Sequence, residues 1–195
     1  MRNTVEAADA GARENRKFMT TKRMALMGVM TAVICVFGPF AIPIPFSPVP
    51  LSFTNLAIYL TVYVLGAKAG TVSYLIYLLL GTAGLPVFSG FAGGMGKLAG
   101  PTGGYLLGFI FLASIAGYII SHFSGHLVMH AAGMVAGMAV CYFFGTLWLS
   151  AQLGISFTAG LGVGVLPYLP GDALKIAAAL YLGPKLRREV RKAEQ

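Results

Sequence analysis

Three long stretches of the chain carry no Asp, Glu, Lys or Arg: residues 24–67, 69–96 and 98–171. One helical crossing of a lipid bilayer needs about 20 mainly apolar residues, so several helices must lie within these stretches. Only 10% of the 195 residues are charged and 57% are hydrophobic, whereas a soluble domain has roughly 25% charged residues. The sequence therefore predicts an integral membrane protein of the all-α class and excludes an ordinary soluble domain.

Clusters of Gly and Pro divide these stretches into separate helices. The division predicts six transmembrane spans, at residues 24–42, 53–66, 69–84, 103–121, 127–150 and 160–184. The second and third spans are short for a bilayer about 30 Å thick. We expect flanking residues to extend them, or the membrane around them to be thin.

Basic residues flank the six spans at both ends of the chain. The cations before the first span are Arg13, Arg16, Lys17, Lys22 and Arg23, and those after the last are Lys185, Arg187, Arg188, Arg191 and Lys192. Positive flanks stay in the cytoplasm, so both termini are predicted inside, and six crossings satisfy this. The loops 43–52, 85–102 and 151–159 then face outward and suit an outward-facing substrate cavity in the cytoplasmic membrane.

The same pattern predicts the domain organisation. Residues 1–21 are polar and basic, which indicates a disordered cytoplasmic tail whose charge favours contact with anionic membrane lipid. Residues 22–186 form the predicted six-helix substrate-binding domain, and 187–195 a second basic cytoplasmic tail. The first span is too long for a cleaved signal core. Because the net charge of +8 mostly reflects these flanks, no nucleic-acid partner is predicted.

Asp172 and Lys175 are the main functional candidates. Asp172 is the one acidic residue between Glu14 and Glu189. A charged side chain at membrane depth costs roughly 2.5–3.5 kcal/mol on insertion scales, so the pair needs a partner, a ligand or water. Their spacing of one helical turn lets the two charges interact. We predict a ligand-binding pair, and the structural alternative is an ion pair that locks a kinked sixth helix.

A glycine-rich stretch, residues 93–105, precedes the fourth span. A nucleotide-binding loop needs a strand before its glycines and specific residues after them. This stretch has neither, so we predict no ATP site in this chain. Thr102 is a plausible N-cap of the fourth helix, with Gly103 and Gly104 in the first turn and Tyr105 next. Free N–H groups at a helix start favour a carboxylate. These four residues are predicted to contact substrate, and the alternative is a flexible, tightly packed loop.

The loop 43–52 contains four prolines and cannot be helical. We predict that this loop is a stiff, extended, apolar segment on the outer face. Phe46 is a candidate wall of the substrate cavity if this segment acts as a lid, and the alternative is a simple interfacial connector.

Two further patterns concern metals and partners. His122, His126 and His130 recur every four residues, yet Ser124 and Gly125 interrupt that helix, so we predict turn and interface histidines and no metal site or other cofactor. Small residues let membrane helices touch closely, either within the chain, as a homo-oligomer or with another subunit. Of such pairs, Gly28 and Ala32 on the first helix are the predicted partner contact.

Two motifs resemble the signature stretches of the BioY family, the substrate-binding subunits of energy-coupling-factor (ECF) vitamin transporters. They are Gly-Pro-Thr-Gly-Gly-Tyr-Leu-Leu-Gly-Phe at residues 100–109 and Leu-Pro-Tyr-Leu-Pro-Gly-Asp-Ala-Leu-Lys-Ile-Ala-Ala at residues 166–178. The resemblance covers residues 24–184 and includes the proline-rich first loop. It implies biotin as substrate, contacted by Asp172, Lys175 and Tyr105. It also implies a transmembrane coupling subunit and two ATP-hydrolysing subunits as partners.

The chemistry of the two charges agrees with that implication. The ureido ring of biotin offers two N–H donors and one carbonyl acceptor, which a carboxylate and an ammonium can bind through charge-assisted hydrogen bonds. The alternative is a stand-alone proton-coupled transporter in which Asp172 carries the proton. One isolated carboxylate offers too little acid–base machinery for an enzyme.

Overall fold

The computed structural model describes residues 20–45 and 47–193. Within these residues the helices are α1 Thr21–Phe37, α2 Thr54–Leu65, α3 Ala67–Thr82, α4 Met95–Ala99, α5 Gly103–His122, α6 Leu127–Leu153, α7 Phe157–Gly164 and α8 Leu169–Ala193. A short 3₁₀ helix, Leu166–Tyr168, separates α7 from α8. Two short strands, β1 Ala41–Ile42 and β2 Leu51–Ser52, pair antiparallel between α1 and α2. The all-α prediction is confirmed.

Three stretches are long and apolar enough to cross a membrane, judged by length and composition over the described part of the chain. They are Gly103–His122, Leu127–Leu153 and Phe157–Ala193, the last of which contains the break between α7 and α8. These support a membrane protein with several spans. The count of six crossings, the cytoplasmic termini and the outward orientation of the cavity stay predictions.

Two predicted helix boundaries are wrong, and proline explains both. The first span was predicted to run to residue 42, but α1 ends at Phe37. Pro39 has no N–H and its ring clashes with the carbonyl of residue 35, so the helix cannot continue. The sixth span was predicted as one helix, but α7 ends at Gly164 and α8 begins at Leu169. Pro167 and Pro170 lie in first turns, where a missing N–H is harmless.

Helix α2 is short because it lies inside the protein. Its 12 residues span about 18 Å at 1.5 Å per residue, and flanking residues do not extend it, since Gly66, with φ 79°, ends it. Ten of the 12 residues are buried, and α1, α3, α5 and α8 surround it. A helix that neighbouring helices enclose need not match the thickness of the bilayer. It forms the centre of the bundle.

Glycines let α5 and α6 pack closely along their length. A Cβ on Gly108 of α5 would lie 2.9 Å from the Cα atom of Cys141 on α6. A Cβ on Gly137 of α6 would lie 3.1 Å from the Cα atom of Leu112 on α5. Both distances are shorter than ordinary side-chain contacts, so these backbones approach each other more closely than larger residues would allow. Small residues therefore serve packing within the chain here.

Candidate substrate-binding site

A cavity of about 70 Å³ lies where the start of α8 meets α2, α5, α6 and strand β2. Aromatic and apolar side chains form much of its wall, and polar groups converge on it from each of these elements. The polar side chains that line it belong to Ser52, Thr54, Asn55, Ser89, Thr102, Tyr105, Tyr142, Tyr168, Asp172 and Lys175. A largely apolar cavity with a few converging polar groups is the usual form of a small-molecule site.

The structure brings the two predicted charges together in this cavity. Lys175 Nζ donates to Asp172 Oδ1 at 2.9 Å, one helical turn away on α8. The two residues are only 6% and 7% exposed, so water screens the pair weakly. A buried ion pair is stable only when further hydrogen bonds satisfy both partners.

Three other elements supply those hydrogen bonds. Asn55 on α2 donates from Nδ2 to Asp172 Oδ1 at 2.8 Å. The hydroxyl of Tyr142 on α6 donates to Asp172 Oδ2. Lys175 Nζ also donates to the backbone carbonyl of Ser52 on β2 at 2.6 Å. The pair is therefore the centre of a network that joins α2, α6, α8 and β2.

Asn55, Tyr142 and Ser52 were not predicted as site residues. For Asn55 the sequence held a signal, because it is the only amide side chain in the uncharged stretch 24–67, and an amide in the membrane needs a partner. Tyr142 is one of nine tyrosines, and nothing in its neighbours distinguishes it. Ser52 contributes a backbone oxygen, which any residue type would provide.

Thr102 and Tyr105 also line the cavity, at the start of α5. Thr102 occupies the predicted N-cap position, but its side chain makes no capping hydrogen bond. Its Oγ1 atom is buried and has no hydrogen-bond partner among the described residues. The Tyr105 hydroxyl donates to the carbonyl of Gly164 at 3.0 Å, so its polar end holds α7 in place.

Gly103 and Gly104 are buried but do not line the cavity. A Cβ on Gly103 would overlap the backbone of Leu98, and one on Gly104 would overlap the side chain of Trp148. Close packing thus accounts for both glycines. The side chain of Phe46 lies outside the described residues, so its predicted place in the cavity wall is not described.

The segment after the first loop forms one wall of the cavity. Val49, Pro50, Leu51 and Ser52 all line it. Tyr168 holds this wall, because its hydroxyl is 2.6 Å from Ser47 Oγ and donates to the carbonyl of Val49. Small-molecule cavities usually measure about 300–1,000 Å³, so the cavity of about 70 Å³ is small for such a site.

The other predicted residues lie away from the cavity. Gly28 and Ala32 are on the exposed face of α1, and no atom of the described residues lies within 4 Å of a Cβ built on Gly28. His130 is buried at the other end of α6, where its Nδ1 atom is 3.1 Å from the hydroxyl of Tyr63. Among the residues that the structure describes, no group of three His, Cys, Asp or Glu side chains is placed to hold a metal ion.

Comparisons with known proteins agree on one family. The sequence model described as "BioY family" matches residues 11–192. The chain is 37% identical over 174 residues to the biotin transporter BioY of Rhizobium etli, and the match covers 85% of this chain and 92% of that protein. It is 35% identical over 167 residues to the biotin transporter BioY of Thermotoga maritima, covering 86% and 96% of the two chains.

A solved structure has the same fold. The crystal structure of the S-component for biotin from an ECF-type ABC transporter superimposes with a TM-score of 0.80 and 30% sequence identity. The match covers 87% of this chain and 95% of that one. The arrangement of helices around the cavity is therefore that of an ECF S-component.

Proposed function

The chain belongs to the BioY family, a family of transporters and not of enzymes, and we propose that it captures biotin in the cavity at the start of α8. The observation that carries this proposal is the buried pair Asp172 and Lys175, at 2.9 Å in the cavity wall. The transporters that this chain resembles are named for biotin, and the pair offers complementary groups for the ureido ring.

A count of hydrogen-bonding capacity supports this role. A carboxylate has about four lone-pair positions, and Asp172 accepts from Asn55, Tyr142 and Lys175. An ammonium has three N–H donors, and Lys175 uses two, on Asp172 and Ser52. One acceptor position on Asp172 and one N–H donor on Lys175 remain. A ureido group offers an N–H and a carbonyl side by side, which is the matching set.

The start of α5 is the proposed partner of the ligand carboxylate. Thr102 Oγ1 is buried without a hydrogen-bond partner and its residue lines the cavity, so a ligand oxygen would relieve the cost of that orphan hydroxyl. The positive end of the α5 dipole favours an anion at the same place. Tyr105 and the apolar wall then enclose the rest of the ligand, with Phe46 as a further contact. Gly103 and Gly104 contribute by letting the start of α5 pack closely against its neighbours.

The proposed assembly follows from the family. We infer six crossings for residues 22–186, basic cytoplasmic tails before and after them, and a cavity that opens outward in the cell membrane. The inferred partners are the transmembrane coupling subunit and two ATP-hydrolysing subunits of an ECF transporter. The exposed face of α1 around Gly28 and Ala32 suits the coupling subunit, because small residues allow close helix contact.

The proposal is tested by equilibrium binding of labelled biotin to the purified full chain, with thiamin and riboflavin as competitors. Wild type is expected to bind biotin saturably, and neither competitor should displace it. Tyr142→Phe, which removes one hydrogen bond to Asp172, is expected to weaken binding about tenfold. Tyr118→Phe is the matched control, because Tyr118 is 62% exposed on α5 and does not line the cavity.

Two results would contradict the proposal. One is the absence of saturable biotin binding by wild type, and the other is full affinity in Tyr142→Phe together with full affinity in Asp172→Asn. The proton-coupled alternative is separated by uptake measurements in cells. If the chain alone accumulates biotin and a protonophore abolishes that uptake, Asp172 acts as a proton carrier and the ATP-dependent assembly is wrong.

A further inference from the structure

A second cavity, of about 500 Å³, lies near the C-terminal end of α8. Four cations from the last turns of α8 line it: Arg187, Arg188, Arg191 and Lys192. The other lining residues are Tyr63, Ser124, Gly125, Leu127, His130 and Pro184. At 1.5 Å per residue, Arg187 lies about 22 Å along α8 from Asp172. The second cavity is therefore separate from the substrate site.

The cations of this cavity outnumber the acids beside them. Glu189 accepts from Lys192 Nζ at 2.9 Å and lies 3.5 Å from Arg188 Nε. In the part of the chain that the structure describes, Asp172 is the one other acidic residue, and it lies at the far end of α8. Arg187 and Arg191 consequently have no ion-pair partner among the described residues.

Arg187 is the less exposed of these two arginines. Burial lowers the pKa of its guanidinium, and the neighbouring charge of Arg191 lowers it further. Both effects mean that the surroundings of Arg187 disfavour its positive charge. Because an arginine remains protonated in proteins, an anion between Arg187 and Arg191 would remove this cost.

The floor of the cavity is polar and already satisfied. His130 Nε2 lies 3.0 Å from the carbonyl of Phe123, which only accepts, so this nitrogen carries the proton. The hydroxyl of Tyr63 lies 3.1 Å from Nδ1. Both nitrogens of the imidazole therefore already have a hydrogen-bond partner. The cations at the rim, and not this histidine, are the groups with bonding capacity left.

The start of α6 adds to the attraction for an anion. Leu127 is its first residue, and no side chain caps the helix. The first backbone N–H groups of a helix are unpaired within the helix and carry partial positive charge. Leu127 lines the same cavity as Arg187 and Arg191, so the helix start and the cations both favour a negative group there.

Apolar residues beside the cavity distinguish a lipid from a free ion. Leu127, Val128 and Met129, in the first turn of α6, are 50%, 81% and 45% exposed. Leu186, next to Arg187, is also exposed. A basic cavity between membrane helices, with apolar surface next to it, suits a phosphate with acyl chains attached. A free phosphate would make no use of that surface.

We propose that this cavity binds the headgroup phosphate of an anionic phospholipid, with Arg187 and Arg191 as its ligands. Arginine suits this role because its planar group donates two parallel hydrogen bonds to a phosphate. The proposal does not depend on which substrate occupies the first cavity.

The test is native mass spectrometry of the full chain, released from nanodiscs that contain equal amounts of phosphatidylglycerol and phosphatidylcholine. Wild type is expected to retain phosphatidylglycerol selectively. The variant Arg187→Gln with Arg191→Gln is expected to retain it about 25-fold less strongly, from roughly a factor of five for each cation. The control is Lys22→Gln with Lys185→Gln, which removes the same charge outside the cavity and should behave as wild type.

A second arm adds inorganic phosphate at millimolar concentration to the same sample. Bound lipid should stay in place, and circular dichroism should show that both double variants are folded. The proposal is overturned if wild type shows no preference for phosphatidylglycerol, or if the arginine variant retains as much as the control. It is also overturned if inorganic phosphate displaces the lipid.

Discussion

Asp172 is the residue on which most of the site depends. It accepts hydrogen bonds from α2, α6 and its own helix, so its carboxylate both fixes the cavity wall and presents an acceptor to it. A purely structural ion pair would explain why the carboxylate fixes the cavity wall, but not why it presents an acceptor to the cavity. The two roles differ in what happens when both charges are removed together.

Removing one charge should destabilise the fold, and removing both should not. Asp172→Asn leaves the ammonium of Lys175 buried and uncompensated, which costs about 3–5 kcal/mol of unfolding free energy. Asp172→Asn combined with Lys175→Met removes both charges and should recover most of that loss. Chemical unfolding of the purified chain measures this.

Biotin binding by the same two variants separates the roles. The double variant should be folded yet bind biotin at least about a hundredfold more weakly, because two charge-assisted hydrogen bonds are lost. If it binds biotin as wild type does, the pair only locks α8, and the ligand role assigned to it is wrong.

Thr102 allows a test of the carboxylate position. Thr102→Val keeps the shape of the side chain and removes the buried hydroxyl that lacks a partner, so the free energy of unfolding should rise by about 1 kcal/mol. Biotin affinity should fall about tenfold. Biotinamide, which has no carboxylate, should bind to wild type and variant equally in the same calorimetric titration. A tenfold loss for both ligands would place the carboxylate elsewhere.

The elements around the cavity differ in how readily they can move. The helices that form the bundle pack closely, whereas the wall from Val49 to Ser52 is an extended segment that the Tyr168 hydroxyl fastens at Ser47 and Val49. The cavity of about 70 Å³ must widen for a vitamin to enter. This segment is the element whose displacement disturbs the least packing.

Tyr168→Phe should therefore speed the entry of biotin. Losing two hydrogen bonds, each worth about 1 kcal/mol net, should raise the association rate constant about thirtyfold if release of the segment limits binding. Stopped-flow fluorescence can follow this through Trp148, the single tryptophan. Tyr181→Phe, on the exposed side of α8, is the matched control. An unchanged rate in Tyr168→Phe would mean that biotin enters by another route.

Gly183 lets α8 pack closely against α2. A Cβ on Gly183 of α8 would overlap the ring of Tyr63 on α2, so Gly183→Ala should lower the free energy of unfolding by about 1–3 kcal/mol. Gly162→Ala is the control, because Gly162 is also helical and nothing lies within 4 Å of its Cβ position. That change should raise stability slightly. Equal thermal unfolding of the two variants would contradict this account of the contact.

The three proposed binding surfaces lie in different parts of the molecule. The substrate cavity lies at the start of α8, and the basic cavity at its end. The exposed face of α1, with Gly28 and Ala32, is distinct from both. Binding of substrate and contact with the coupling subunit should therefore respond to different substitutions.

Gly28→Leu with Ala32→Leu should test the α1 surface. The isolated variant is expected to bind biotin with wild-type affinity, while its co-purification with the coupling subunit should fall at least about tenfold, because larger side chains keep the helices apart. Ala139→Leu, at an exposed position of α6, should leave the complex intact. If the α1 variant still assembles normally, the coupling subunit contacts another face.

The sequence alone determined the features that composition and local chemistry control. Long uncharged stretches required membrane helices, and one isolated pair of charges, Asp172 and Lys175, had to be compensated wherever the chain placed it. The apolar, membrane character of the helices and the functional importance of that pair were therefore predictable. The motif around the pair also indicated the family, because its residues are consecutive in the chain.

Only the tertiary structure decided which groups complete the site. Asn55, Tyr142 and the carbonyl of Ser52 reach Asp172 and Lys175 from elements up to 123 residues away in sequence, and no local pattern encodes such a meeting. Local composition determines which residues must be buried or compensated, but the partners that satisfy them are chosen by packing in three dimensions.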